Sequence, residues 1–326
     1  MKIVIPDDYQ DAVRTLDCFA KLQGHEVVIY HDTAKDLDTL AARFAEADAL
    51  VLIRERTEIS AALLDRLPRL KLISQTGRGV PHIDMAACTR HGVAVAAGGG
   101  SPHAPAELTW ALILAGMRRL PQEMAALKAG RWQTSLGLGL RGRVLGIFGF
   151  GRIGSLVAGY GRAFEMQVLV WGREGSRTRA RAAGFAVAAD QAALFAQADV
   201  LSLHLKLTPE TAGIVGPADL ARTKPTAGLV NTSRAGLIVP GALEQALRAG
   251  RLGWAAVDVY EDEPALHDPL LALDNALCTP HLGYVEKDSY ELYFDRAFDQ
   301  VLAFATGRPI NLINPGVLAG TPPAGS

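Results

Sequence analysis

The chain is short of cysteine, of long apolar runs and of net charge. Its 3 cysteines are Cys18, Cys88 and Cys278. They are odd in number and far apart, which argues against a disulfide framework and a cysteine zinc site and fits a reducing cytoplasm. No two of the 8 histidines are placed as a ligand pair would be, so no metal is expected. The formal net charge of −1 gives no electrostatic case for nucleic acid or an anionic membrane. The densest apolar stretch, Trp110 to Met117, is too short to span a bilayer. The opening Met1-Lys2-Ile3-Val4-Ile5-Pro6-Asp7-Asp8 turns acidic too early for a signal peptide. A cytoplasmic protein is expected.

What is present is a glycine turn in a specific setting. The apolar run Val144 to Phe148 leads into Gly149-Phe150-Gly151-Arg152-Ile153-Gly154, and a helix-like run from Ile153 to Tyr160 leads out. In such a strand–turn–helix, the first glycine permits the tight turn and the second lets backbone approach a pyrophosphate. The third lets the helix pack on the strand. The helix start then offers N–H groups and partial positive charge to the phosphates. The spacing alone is a weak signal; its context on both sides makes dinucleotide binding the expectation.

The 326 residues, 49% hydrophobic and 21% charged, suit a globular chain of two domains. Up to about residue 98, short apolar runs alternate with helical or polar segments. The runs are Lys2 to Pro6, Glu26 to Tyr30, Ala49 to Ile53, Leu70 to Ser74 and Val93 to Ala96; Thr39 to Ala47 and Ser60 to Leu67 lie between. This rhythm predicts a parallel, helix-covered sheet. Gly98-Gly99-Gly100-Ser101-Pro102 reads as a hinge-like break, with Ser101 as N-cap and Pro102 as the first helical residue. The helix that follows, to about Leu120, is apolar on two faces, as a core, domain-joining or subunit-joining helix would be. From Gly142 the rhythm returns. Strands are predicted at Val144 to Phe148, Gln167 to Trp171, Val200 to Leu203, Gly228 to Asn231, Gly253 to Val259 and Ala276 to Thr279. The fold class is therefore α/β. It combines a doubly wound, Rossmann-like parallel-sheet nucleotide domain with a smaller, flavodoxin-like α/β domain. A long amphipathic segment, Glu286 to Thr306, should return to cover the first unit, and Thr321 to Ser326 reads as a disordered tail.

Ligands of open α/β sheets sit beyond the carboxyl ends of the strands. Three successive strand ends of the second unit carry chemistry: Arg234, the acidic run Glu261-Asp262-Glu263, and His281. A histidine with a carboxylate partner can donate a proton near neutrality, and an arginine can hold an acidic substrate. Hydride transfer to a 2-keto acid needs those parts besides a nicotinamide. Singly, each residue has an ordinary reading as a loop histidine, a surface ion pair or a helix cap. At three neighbouring strand ends those readings weaken.

The sequence resembles the D-isomer-specific 2-hydroxyacid dehydrogenases over nearly its whole length. The carriers are Leu145 to Gly154, Leu203-His-Leu-Lys-Leu-Thr-Pro-Glu-Thr211, Leu229-Val-Asn-Thr-Ser-Arg234, Asp258-Val-Tyr-Glu-Asp-Glu-Pro264 and Thr279-Pro-His-Leu-Gly283. The resemblance implies catalytic roles for Arg234, Glu263 and His281; Glu263 is chosen because the family's glutamate directly precedes the proline. It implies dinucleotide contacts from Gly149, Gly151, Arg152, Ile153, Gly154, Gly172, Arg173, His204, Thr232 and Asp258, the last near the nicotinamide. It implies that the amides of Gly77-Arg78-Gly79 receive the substrate carboxylate and that Arg54 reaches the substrate. It also implies a discontinuous substrate domain, 1–98 with 287–326, around a dinucleotide domain, 99–286, and homodimers built near Ala106-Glu107.

Family members often carry an aspartate after the second nucleotide strand. Here Trp171 is followed by Gly172-Arg173, with Arg177 and Arg179 nearby, as suits a 2′-phosphate. NAD or NADP is expected, with NADP favoured; the opposing reading has Glu174 reaching the ribose. Arg54, Arg56, Arg78 and His82 could hold a second anionic group or could be surface residues. The expected activity is oxidation and reduction between a D-2-hydroxy acid and its 2-keto acid, glyoxylate, hydroxypyruvate or phosphohydroxypyruvate-like. The alternatives are a nucleotide-sensing module without turnover and a dehydrogenase of formate or phosphite.

Overall fold

The computed structural model describes residues 1–319. The described chain divides into two compact units, one of Met1–Ser101 with the segment from Glu286 onward, the other Pro102–Val285. The predicted tail from Thr321 to Ser326 lies outside the described residues.

In the first unit, strands β1 (Lys2–Ile5), β2 (Glu26–Ile29), β3 (Ala49–Leu52), β4 (Leu72–Gln75) and β5 (Ala94–Ala97) form a parallel sheet in the order β2-β1-β3-β4-β5. Helices α1 (Leu37–Phe44), α2 (Ala61–Leu64) and α3 (Met85–Arg90) lie between them. Each starts where a short polar side chain meets an apolar run. The caps Asp36, Ser60 and Asp84 accept from the N–H of Thr39, Leu63 and Ala87, satisfying donors the helix cannot use itself.

The second unit opens with α4 (His103–Arg118). Pro102, in helical conformation, is its N-cap, and no side chain caps it. The expected Ser101 cap is thus displaced by one residue. The predicted single helix to Leu120 is in fact interrupted: Arg119 is left-handed, with φ 53°, and α5 (Leu120–Lys128) starts afresh. After a loop come β6 (Val144–Phe148), α6 (Arg152–Ala163), β7 (Gln167–Trp171), α7 (Glu174–Ala182), β8 (Ala186–Val187), α8 (Gln191–Gln197) and β9 (Val200–Leu203). Then follow α9 (Pro217–Leu220), β10 (Gly228–Asn231), α10 (Ala242–Arg248), β11 (Trp254–Val257) and β12 (Ala276–Cys278). The sheet is parallel and runs β12-β11-β10-β9-β6-β7-β8. It has seven strands where six were predicted; the extra one, β8, is a two-residue edge strand too short to show a period.

The central strands of this sheet are buried on both faces and are therefore mostly apolar. Successive residues enter opposite cores: Leu201, Leu203 and Leu229 on one side, Val200 and Val230 on the other. Helix α6 turns Gly154, Val157, Ala158 and Gly161 inward, one stripe at helical spacing.

Helix α11 (Lys287–Ala305), capped by Glu286, completes the first unit. It packs across β3, β4 and β5, where the Ser74 hydroxyl on β4 lies within hydrogen-bond reach of Ala297 O at 2.9 Å and Gln300 Oε1 at 2.7 Å. The predicted hinge glycines serve this packing. A Cβ on Gly98 would lie 3.4 Å from Arg296 Cβ, and one on Gly100 would lie 2.1 Å from the Tyr293 hydroxyl. No described helix is long and apolar enough to cross a membrane.

Candidate active site

The predicted site residues divide between the two units. In the second, the turn after β6 has the three glycines in three distinct environments. Gly149 has φ +100°, and a Cβ there would lie 2.5 Å from His204 O. A Cβ on Gly154 would lie 2.2 Å from Gly149 O, so only glycine lets α6 approach the turn. Around Gly151 nothing lies within 4 Å of that position. The middle glycine therefore opens onto free space at the start of α6, where no side chain caps the helix N–H groups. These residues fit a dinucleotide pyrophosphate. Arg152 and Ile153 form the first turn of that helix.

His204 supports the turn from below. Its N–H donates to Phe148 O at 2.8 Å, and its ring Nε2 lies 2.8 Å from Ser202 Oγ. Burial pushes its pKa down to about 4, so the ring is neutral under ordinary conditions. Gly172, beyond β7, has φ +155° and faces Gly149. Arg173 is exposed and, among the described residues, meets only a distant carboxylate oxygen, Glu210 Oε2 at 3.8 Å. Arg177 is otherwise engaged: it pairs with Glu174 and stacks over the Trp171 ring at 4.7 Å. Arg179 donates to Phe150 O at 3.0 Å. Glu174 is held by Arg177 and by Arg181 at 3.6 Å.

The ends of β10, β11 and β12 are neighbours in the sheet. Beyond β10, Asn231 pins the loop: its side chain donates to Arg234 O at 2.9 Å and accepts from Ser233 N at 3.1 Å. Thr232 Oγ1 lies 2.7 Å from Thr109 Oγ1 on α4. Arg234 is half-buried, with Nη1 donating to Ser233 O at 2.7 Å. Beyond β11, Glu263 folds back to accept from Tyr260 N at 3.0 Å with one oxygen. Its other oxygen lies 2.7 Å from His281 Nδ1, beyond β12. Burial pushes the Glu263 pKa up, but the His281 hydrogen bond and charge, Tyr260 N–H and Arg234 outweigh it, leaving the carboxyl below its ordinary value. His281 itself has φ 52°, a conformation that costs a non-glycine residue energy and is found where a site over-determines the backbone.

Asp258 supplies that determination. It is fully buried at the end of β11. Its carboxylate accepts from Thr279 Oγ1 at 2.6 Å, Leu282 N at 2.7 Å and Gly283 N at 2.8 Å. The acceptor brackets His281 on both sides and fixes its loop. Burial lifts the Asp258 pKa, with the hydrogen bonds and His281 opposing. Sequence reasoning identified the residue but not this bracing, which joins backbone N–H groups that no motif displays.

In the first unit, Gly77 and Gly79 underlie the side chains that follow β3. A Cβ on Gly77 would lie 1.9 Å from Arg54 Nη1, and one on Gly79 2.7 Å from Glu55 Oε1. Arg54 has φ 56° and sits over the Tyr293 ring at 5.4 Å. Arg56 donates to Asp7 O at 2.6 Å and stacks on Tyr9 at 4.4 Å. His82 has both ring nitrogens buried without a hydrogen bond, and burial lowers its pKa to about 4. Among the described residues Asp8, Asp11 and His31 gather closely enough to hold a cation. Asp8, however, already accepts from Ala12 N and Val13 N.

Comparison with known proteins decides the family. The family model described as D-isomer specific 2-hydroxyacid dehydrogenase, NAD binding domain, matches residues 110–283. A glyoxylate reductase of Thermococcus litoralis is 35% identical over 92% of this chain and 93% of its own. The chain belongs to the D-isomer-specific 2-hydroxyacid dehydrogenases. A solved phosphoglycerate oxidoreductase of Vibrio cholerae O395 is 54% identical, covers 94% of this chain and 99% of its own, and superposes with a TM-score of 0.92. A D-3-phosphoglycerate dehydrogenase of Methanocaldococcus jannaschii is 36% identical over 87% of this chain, which spans about half (53%) of that relative. This dehydrogenase accordingly moves a hydride between a nicotinamide coenzyme and a small 2-hydroxy or 2-keto acid.

Proposed function

We propose that this dehydrogenase reduces small 2-keto acids, glyoxylate and hydroxypyruvate among them, and uses NADPH at least as well as NADH. The reading of its chemistry rests above all on the 2.7 Å contact between His281 Nδ1 and Glu263, one strand end away from Arg234. Bound reduced nicotinamide supplies the hydride. Glu263, accepting at Nδ1, leaves Nε2 as the nitrogen that carries the transferable proton. His281 donates that proton to the carbonyl oxygen as charge builds there, and takes it back in the oxidative direction. Arg234 holds the substrate carboxylate and carbonyl, which its permanently charged, planar group suits. In the first unit the family resemblance assigns the substrate carboxylate to the amides of Gly77-Arg78-Gly79, beyond β4. Asp258 positions His281 from beneath.

The coenzyme preference rests on Arg173. No acid directly follows β7, Glu174 beyond it is paired with Arg177 and Arg181, and Arg173 is left exposed for a 2′-phosphate. A homodimer is supported by the stretch from α5 onward. There Met124, Trp132 and Leu136 are 60%, 77% and 93% exposed. Glu123 nonetheless anchors the stretch, accepting from Thr134 N at 3.0 Å and Ser135 Oγ at 2.6 Å. Ordered, exposed apolar side chains of this kind mark an association surface.

The deciding experiment is a turnover screen of glyoxylate, hydroxypyruvate, formate and phosphite with NADPH and NADH, beside light-scattering mass measurement. Reduction of the keto acids with an NADPH preference is expected. Turnover of formate or phosphite alone, or none with any acid, refutes the reading; a large NADH preference refutes its coenzyme part.

A further inference from the structure

The first unit contains a pair of arginines that the sequence did not join. Arg78 lies in the loop beyond β4, and Arg296 lies on α11. Gly99, in the segment after β5, stands between them. A Cβ at Gly99 would lie 3.0 Å from Arg296 Nη1, 3.2 Å from Arg78 Nε and 3.4 Å from Arg78 Nη2. Two guanidinium groups thus reach the same point, and the chain keeps that point free of a side chain.

Neither cation is neutralised. Among the described residues Arg78 makes no hydrogen bond or ion pair, and Arg296 makes one bond, to the neutral Gly99 O. Three of the four acids of the same helix are engaged elsewhere. Asp295 and Asp299 bind Lys21 at 2.6 Å each, and Glu291 accepts from Asp17 N and Cys18 N. Of the other candidates for a second anion, Arg56 is bound to Asp7 O and Tyr9, Arg54 sits over the Tyr293 ring, and His82 has its pKa lowered by burial to about 4. Like charges held this close are stable when an anion bridges them, and paired guanidinium groups suit the oxygens of phosphate or carboxylate.

We infer that Arg78 and Arg296, converging on Gly99, form a subsite for a second anionic group on the substrate, so that the preferred keto acid is a dianion. The inference rests on the keto-acid reading above, since Arg78 belongs to the loop proposed to receive the first carboxylate. The shared chemistry is a second oxyanion at the end remote from that carboxylate, supplied by a phosphate ester or by another carboxylate.

The test compares kcat/KM for phosphohydroxypyruvate, oxaloacetate and hydroxypyruvate in the wild type and in Arg296→Ala, Arg296→Lys and Arg78→Ala. The expected wild type prefers a dianion. In Arg296→Ala and Arg78→Ala the ratio of dianion to hydroxypyruvate falls ten- to a hundredfold, and Arg296→Lys keeps most of it. Whichever dianion loses more identifies the anion. A ratio unchanged in Arg296→Ala, or a wild type with no preference for either dianion, overturns the subsite. Should no keto acid turn over, calorimetric binding of 3-phosphoglycerate and D-glycerate separates the two claims. Tighter binding of the phosphorylated acid, lost in Arg296→Ala, sustains the subsite while the activity reading fails; equal binding removes both.

Discussion

The two units place their first strand alike. In both, that strand lies inside a parallel sheet with partners on either side, β1 between β2 and β3, β6 between β7 and β9. That is the switch point where open sheets hold ligands. Beyond β1 the place is filled by the chain itself. Asp8, fully buried, accepts from Ala12 N at 3.1 Å and Val13 N at 3.0 Å, and Asp7 accepts from Thr33 and Thr57. Beyond β6 the equivalent N–H groups have no carboxylate, and Gly151 leaves space before them. The same architecture thus supplies its own carboxylate in one unit and leaves the helix start without a side-chain cap in the other. What distinguishes the turn proposed to bind from the structural turn here is the absence of a side chain.

The comparison can be broken most severely at the chemistry the open turn serves. Replacing His281 with Gln should lower kcat by roughly two to four decades, the usual general-acid contribution. Steady-state rates near wild type would remove His281 as the donor. The contrast between turns is tested directly by Gly151→Asp, which gives the second unit the first unit's solution. Coenzyme affinity, followed by fluorescence titration, should fall by about a hundredfold or more through charge repulsion at the pyrophosphate. The melting temperature should hold, since nothing lies within 4 Å of the new Cβ. The reciprocal change, Asp8→Ala, strands two backbone donors and should cost about 1–3 kcal/mol in denaturant unfolding. Undiminished stability would mean that the carboxylate does not fill the turn.

The smallest effect concerns pH. Glu263 is held below its ordinary value in the folded state. Its contribution to stability is therefore complete above the unfolded value, near 4.3, and is lost as pH falls through the lower folded value. The stability difference between wild type and Glu263→Gln should be present at neutral pH and shrink in acid. A difference that grows in acid would contradict the sign.

Much of this architecture was legible in the residues. The strands Val144–Phe148, Gln167–Trp171, Val200–Leu203 and Gly228–Asn231 were read to the residue, because doubly buried parallel strands are uninterrupted apolar runs ended by polar or glycine signals. β8 escaped because two residues show no pattern, and the break at Arg119 because an arginine in left-handed conformation carries no glycine to announce it. The contact of His281 with Glu263 was foreseeable from adjacent strand ends. The brace at Asp258 and the convergence of Arg296 with Arg78 were not. One runs through main-chain groups, and the other joins positions more than 200 residues apart in sequence.

The Ser74 hydroxyl, waiting on β4 for Ala297 and Gln300, has a consequence for biogenesis. The first five strands leave the ribosome before the second unit, but the helix that covers one face of β3, β4 and β5 is made only after the whole of that unit. At usual elongation rates the interval is on the order of ten to forty seconds. Through that time the nascent chain presents an unroofed apolar sheet while another entire unit is synthesised and collapses beside it. Chaperone dependence and translation speed therefore bear on the amino-terminal portion of this polypeptide more than on its middle.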